Sequence, residues 1–122
     1  MMEENVIQII DGLIKKTAAK KVNWKESSTK GEYKILFEGA TLTIGGFINS
    51  FGKYYVLTIL NSEGRVIVKE TLYDTDPSSN KLGDLFAAAQ ESTLKKNDTL
   101  ESILEQLKQE TVGEDETSEL PF

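Results

Sequence analysis

The sequence predicts an α+β fold, with one antiparallel sheet covered by helices on one face. Apolar residues recur at helical spacing near the start of the chain, alternate with polar residues through its middle, and return to helical spacing after residue 76. The arrangement predicted is a first helix, a four-stranded antiparallel meander, two further helices and a disordered acidic tail. We expect a single domain over residues 1–110 and an interaction tail over residues 111–122.

The first helix is predicted over residues 5–20, because one face is apolar and the other is charged or polar. The apolar face comprises Val6, Ile9, Ile10, Leu13 and Ile14. Lysines at positions 15, 16, 20 and 21 lie in its last turn and just beyond, where the helix dipole favours cations. The alternative is a phosphate-binding patch that Lys25 would extend.

Four runs with alternating or β-branched residues predict the strands. They cover residues 33–38, 41–44, 54–60 and 65–72. Residues 61–64 form a connection of hairpin length, in which Gly64 can adopt a positive φ. The alternative is a sheet with one more short strand, at residues 22–24, ahead of these four. The run at residues 65–72 would leave an exposed sheet edge, through which two copies could dimerise.

Two helices are predicted after the sheet. Asp76 and Pro77 have the pattern of an N-cap followed by proline at the first helical position. Asp98, with Glu101 three residues later, resembles a capping box for the last helix. The apolar stripes of the two helices are Leu82, Leu85, Phe86 and Ala89 in one, and Leu100, Ile103, Leu104 and Leu107 in the other.

Charge and residue types exclude several classes of function. The 14 basic and 20 acidic residues give a net charge of -6; four of the acids belong to residues 114–122, so residues 1–113 carry only -2. The chain contains no cysteine and no histidine, which excludes disulfides, zinc–thiolate sites and catalysis by either residue. Its first residues lack a signal-peptide pattern, and no run of apolar residues has membrane-spanning length, so we expect a cytoplasmic protein.

No enzymatic site is predicted. Asp74 and Asp76, close to two serines, could bind a divalent cation through oxygen atoms, but their spacing matches no calcium loop. Helix capping explains Asp76 without a metal. No serine, lysine or carboxylate pair forms an evident nucleophile and base, so we predict a protein without catalytic residues, metal or cofactor.

Aromatic and basic residues lie close together in the middle of the sequence. Stacking of bases on a sheet with flanking lysines is a common mode of single-strand binding. The residues predicted to contact single-stranded DNA are Lys25, Lys34, Phe51, Lys53 and Tyr54. The alternative, which is favoured for most of the aromatic residues, including Trp24 and Tyr55, is packing in the core or at a sheet edge.

The tail combines acidic side chains with an apolar end. Pro121 restricts its own φ and biases Leu120 toward extended geometry, which lowers the entropy lost on docking. Phe122 can fill a pocket, while the carboxylates steer the segment toward basic residues. The predicted partner-binding residues are Glu114, Asp115, Glu116, Glu119, Leu120, Pro121 and Phe122. A solubilising end without a partner is the alternative.

The acidic residues followed by Leu120, Pro121 and Phe122 resemble the C-terminal tip of bacterial single-stranded-DNA-binding proteins. In that family the tip recruits enzymes of replication, recombination and repair, so the resemblance implies protein partners of this kind. It covers the tail only. The five-stranded oligonucleotide-binding barrel of the family does not carry over, because the sequence predicts a helix first and two helices last.

We therefore expect a small bacterial or phage adaptor in DNA metabolism, whose tail docks into partners of the single-stranded-DNA-binding protein. Its body would bind single-stranded DNA. The alternative is a protein-interaction module, such as an immunity, antitoxin-like or anti-defence protein, in which the tail only improves solubility. Oligomerisation is compatible with either function.

Overall fold

The computed structural model describes residues 2–94 and 96–113, and it confirms the α+β class. In these ranges three α-helices accompany one antiparallel sheet. In chain order the elements are α1 (Glu4–Ala18), β1 (Lys25–Glu26), β2 (Glu32–Phe37), β3 (Ala40–Asn49), β4 (Gly52–Asn61), β5 (Val66–Tyr73), a 3-10 turn (Pro77–Ser79), α2 (Asn80–Leu94) and α3 (Lys96–Gln106).

The sheet is a meander in the order β1-β2-β3-β4-β5, so it has five strands where the sequence predicted four. The additional strand is β1, in which Lys25 pairs with Lys34 and Glu26 pairs with Tyr33. It lies just after the short strand considered at residues 22–24. Two residues are too few to show an alternation, so only pairing with β2 identifies β1 as a strand.

Side-chain hydrogen bonds fix the turn between β4 and β5. Gly64 has φ +79°, as its position in the hairpin predicted. The Oδ1 atom of Asn61 accepts hydrogen bonds from the backbone N–H groups of Glu63 and Arg65, both at 3.0 Å. The strand that follows, β5, lies at the edge of the sheet as expected.

Helix α1 ends in a left-handed residue. Lys20 has φ +60°; its N–H donates to the Thr17 carbonyl, and the N–H of Lys21 donates to the Lys16 carbonyl, both at 2.9 Å. This pair of bonds is the Schellman motif, here with lysine at the position that glycine usually occupies. It ends the helix two residues earlier than the sequence predicted.

The core lies between one sheet face and the helices α1 and α2. The most deeply buried large side chains are Ile10, Leu42, Ile44, Leu57, Leu82 and Leu85. In α1 the predicted stripe is buried at Val6, Ile10 and Leu13, whereas Ile9 at its margin is 40% exposed. The four predicted stripe residues of α2 are all buried.

Trp24 joins the end of α1 to this core. Its Nε1–H donates to Thr17 Oγ1 at 2.9 Å, and the Thr17 hydroxyl donates to the Leu13 carbonyl at 2.6 Å. The indole is 7% exposed. Both polar groups are thereby satisfied in the interior, and the alternative of core packing is confirmed for Trp24.

The start of the helical region follows the predicted capping pattern. Asp76 caps the 3-10 turn that leads into α2, and Pro77 takes the first position. The Asp76 carboxylate accepts hydrogen bonds from Ser78 Oγ at 2.6 Å and from Ser78 N at 2.9 Å, which lower its pKa. The described residues contain no cluster of three acidic groups suited to a metal ion.

The predicted capping box of the last helix is wrong. Helix α3 begins at Lys96, so Asp98 lies inside its first turn and forms an ion pair with Lys20 at 3.6 Å. Of the predicted tail, residues 111–113 have no helix or strand, and residues 114–122 lie outside the described part. Among the described residues, no helix combines the length and apolar character needed to cross a membrane.

Candidate nucleic-acid interface

The two faces of the sheet have different surroundings. Because side chains alternate along a strand, the neighbours of the core residues point to the opposite face, which α1 and α2 do not cover. Apart from the buried Gly45, all of its residues remain partly or fully exposed. We call this the open face; it comprises Lys25, Glu32, Lys34, Leu36, Thr41, Thr43, Gly45, Phe47, Asn49, Gly52, Tyr54, Val56, Thr58, Leu60, Val66, Lys69, Thr71 and Tyr73.

Three aromatic rings cross one end of the open face. Phe47 on β3 pairs with Tyr54 on β4, which pairs in turn with Tyr73 on β5. The ring centroids of successive residues are 5.6 Å and 5.4 Å apart, with the planes tilted by 43° and 47°. Asn49 Nδ2 donates to the Tyr73 hydroxyl at 2.9 Å. This aromatic row is therefore positioned by both pairing and a hydrogen bond.

Two consecutive glycines allow aromatic rings to lie against both faces of β3. A Cβ atom on Gly45 would come within 2.5 Å of the Phe47 ring, and one on Gly46 within 2.8 Å of the Phe86 ring on the helix-covered face. The sequence placed these glycines between two strands; they lie instead inside β3, which runs to Asn49. Glycine is required at both positions because aromatic rings pack against them, and not because the chain turns there.

A row of lysines and threonines crosses the same face farther along the strands. The register aligns, from β1 to β5, Lys25, Lys34, Thr43, Thr58 and Lys69. None of the three lysines forms an ion pair with another residue in the described ranges. We call this the lysine–threonine row. Along β3, Thr43 of this row and Phe47 of the aromatic row are four positions apart, which corresponds to about 13 Å at the rise of a strand.

The strand residues of the open face therefore carry a net positive charge. Glu32 is its one acidic residue within β1–β5, and its Oε1 atom accepts a hydrogen bond from Ser27 Oγ at 2.7 Å. Cationic and hydroxyl groups can bind phosphates, while partly exposed rings can stack on bases. This combination matches the chemistry of an extended single strand.

The structure brings three of the five predicted DNA-contacting residues onto this face, namely Lys25, Lys34 and Tyr54. Phe51 lies at the tip of the β3–β4 hairpin and is 83% exposed. Lys53 points to the helix-covered side, where its Nζ lies 5.4 Å from the Tyr55 ring centroid and 5.7 Å from that of Phe86. Lys53 therefore does not share a surface with the other lysines.

Sequence reasoning missed Tyr73 and Lys69, and it did not select Phe47 from the aromatic residues. All three lie on strands paired with others, and only the register places them beside Tyr54 and Thr58. The alternation of side chains along a strand is the one signal in the sequence that separates Lys53 from Tyr54, because it requires them to point to opposite faces of β4.

The predicted partner-binding residues of the tail, at positions 114–122, lie outside the described residues, so their geometry does not enter this site. Comparisons of the chain with protein-family models, with curated proteins and with solved structures find no match.

Proposed function

We propose that this protein is a small, non-enzymatic, cytoplasmic adaptor of bacterial or phage DNA metabolism, which binds single-stranded DNA on the open face of its sheet. The observation that carries the proposal is the aromatic row beside the lysine–threonine row on one uncovered surface. The tail segment at residues 114–122 would connect the bound strand to enzymes of replication, recombination or repair.

Each part of the open face has a defined role in this proposal. Phe47, Tyr54 and Tyr73 stack on bases, an interaction that tolerates any sequence because every base has a π face. Lys25, Lys34 and Lys69 neutralise backbone phosphates and release bound counterions. With three phosphates neutralised, log K should fall against log salt with a slope of about -2.

Replacing Lys34 with glutamine should make this slope shallower by about 0.7, because one phosphate contact is lost. The measurement is the fluorescence anisotropy of labelled oligo-dT, titrated with the full chain at several salt concentrations. Lys53→Gln is the matched control, since Lys53 lies on the opposite face beside Tyr55 and Phe86. Equal slopes for Lys34→Gln and the unaltered protein would place the DNA elsewhere.

Deletion of Phe122 should weaken binding to an enzyme that recognises the tip of the single-stranded-DNA-binding protein, and leave affinity for oligo-dT unchanged. The physical reason is the loss of the large apolar group that would fill the partner's pocket. Isothermal titration of such an enzyme with both forms of the protein measures the change. Equal affinities would contradict the adaptor part of the proposal. The DNA-binding part is tested separately, by the titration of oligo-dT.

A protein-interaction module remains the second candidate, and the exposed apolar side of α3 favours it. Leu104 and Leu107 in this region are 61% and 60% exposed. In such a module the sheet or a helix face would bind one protein target. Capture of a defined target that persists after removal of residues 111–122, together with no shift of oligo-dT at low salt, would favour this function.

A further inference from the structure

Helix α3 presents an apolar stripe that the described chain does not cover. Its four members are exposed by 48%, 49%, 61% and 60%; they are Leu100, Ile103, Leu104 and Leu107. The corresponding stripe of α2 packs into the core with no member more than 8% exposed. The N–H of Leu107 donates to the Ile103 carbonyl at 3.0 Å, so helical geometry continues to this residue.

The spacing of this stripe makes it complementary to itself. Positions i, i+3, i+4 and i+7 give the same pattern when the helix direction is reversed. A two-fold axis between Ile103 and Leu104 would therefore bring two stripes into contact in antiparallel orientation. Leu100 would then face Leu107 of the second copy, and Ile103 would face Leu104 of the second copy.

The charges beside the stripe select the antiparallel orientation. Lys108 lies in the turn that follows α3, where its N–H donates to the Glu105 carbonyl at 3.1 Å. A rotation of about 100° to 120° per residue places it on the same flank as Glu101. In an antiparallel pair this flank faces the same flank of the second copy, so each Glu101 comes near a Lys108 of the opposite charge. In a parallel pair, the flank of Glu101 and Lys108 would instead face the flank of Thr99 and Gln106, which has no charge within residues 99–106.

Lys108 can change partners readily. Its Nζ lies 3.3 Å from Glu105 Oε1 in the same chain, and both side chains are 74% exposed. Solvent screens such a pair strongly, so exchanging Glu105 for Glu101 of a second copy loses little. The pair Glu101–Lys108 occurs twice in a two-fold dimer, which doubles its contribution.

We propose that the apolar stripe of α3 binds the same stripe of a second copy of this chain, in an antiparallel two-fold dimer. One short helix from each copy buries less surface than a standard interface, so the dimer is weak and depends on concentration. Dimerisation would place two open faces in one particle. The dimer follows from the exposure and charge of α3, and it does not depend on DNA binding.

Sedimentation velocity of the full chain tests this dimer, over about 5 to 500 µM, a range suited to a small interface. Leu104→Glu should weaken dimerisation by about 100-fold, because each copy loses a buried leucine. Lys108→Glu alone should weaken it by about 2- to 30-fold, since two attractive pairs become repulsive. The double variant E101K/K108E should restore association, because it exchanges the charges and re-creates both pairs.

These substitutions lie at exposed positions, and circular dichroism verifies that each variant is folded. Ile67→Glu, on the edge strand β5, is the matched control and should leave the dimer intact; Ile67 is 61% exposed. A monomer throughout the concentration range overturns the proposal. So does association that Ile67→Glu abolishes and Leu104→Glu does not, or a double variant that stays as weak as Lys108→Glu.

Discussion

Replacing Tyr54 with alanine is expected to lower the affinity for oligo-dT by about 5- to 150-fold, the range that loss of one stacked base produces. Tyr54 is the middle ring of the aromatic row and contacts both neighbours, with centroids 5.6 Å from Phe47 and 5.4 Å from Tyr73. Its removal takes away one stacking surface and also the lateral support of the other two rings. Anisotropy titration at constant salt measures the loss.

Tyr54→Phe is the matched control for this substitution. It retains the ring and removes only the hydroxyl, so affinity should stay within about twofold if stacking dominates. The salt slope should be the same for both variants, because neither removes a cation. A folded Tyr54→Ala variant that binds oligo-dT as well as the unaltered protein would show that the open face is not the DNA-binding surface.

Replacing Leu57 with alanine is expected to lower the free energy of unfolding by about 2 to 5 kcal/mol. Leu57 lies on β4, pairs with Ile44 across the sheet, and is fully shielded from solvent at 0% exposure. Truncation removes apolar contacts and leaves a cavity under α2, which the surrounding side chains can fill only in part. Urea unfolding followed by circular dichroism measures the change.

Thr58→Ala is the control for position in the same strand. Thr58 follows Leu57 and points to the open face, where its side chain remains partly exposed. The strand preference lost on this substitution is at most about 1 kcal/mol. Equal destabilisation by the two substitutions would contradict the assignment of one covered and one uncovered face.

The fold class was predictable because long periodic segments dominate the sequence. The stripe of α2 and the hairpin at Gly64 follow directly from spacing and turn chemistry. Strand β1 was not predictable, since two residues carry no period. The glycines at positions 45 and 46 had the composition of a turn, yet they accommodate Phe47 and Phe86, and only tertiary packing shows this.

The candidate site was predictable only in part. Local sequence indicated aromatic residues and lysines in the segment that forms the sheet, but a shared surface depends on which residues lie on the same face. Phe47, Tyr54 and Tyr73 come from three strands, and their contact follows from the register of the pairings. Lys53 does not lie beside the other lysines, because successive side chains of a strand point to opposite faces and Tyr54 points to the open face.

The burial of Trp24 has a spectroscopic consequence. It is the single tryptophan of the chain, and its indole lies in the core with its N–H bonded to Thr17. Its fluorescence emission should be blue-shifted in the native protein and move to longer wavelength when the chain unfolds. Ligands on the open face are separated from it by the sheet. The protein thus has an intrinsic optical signal for folding that is distinct from occupancy of its surface.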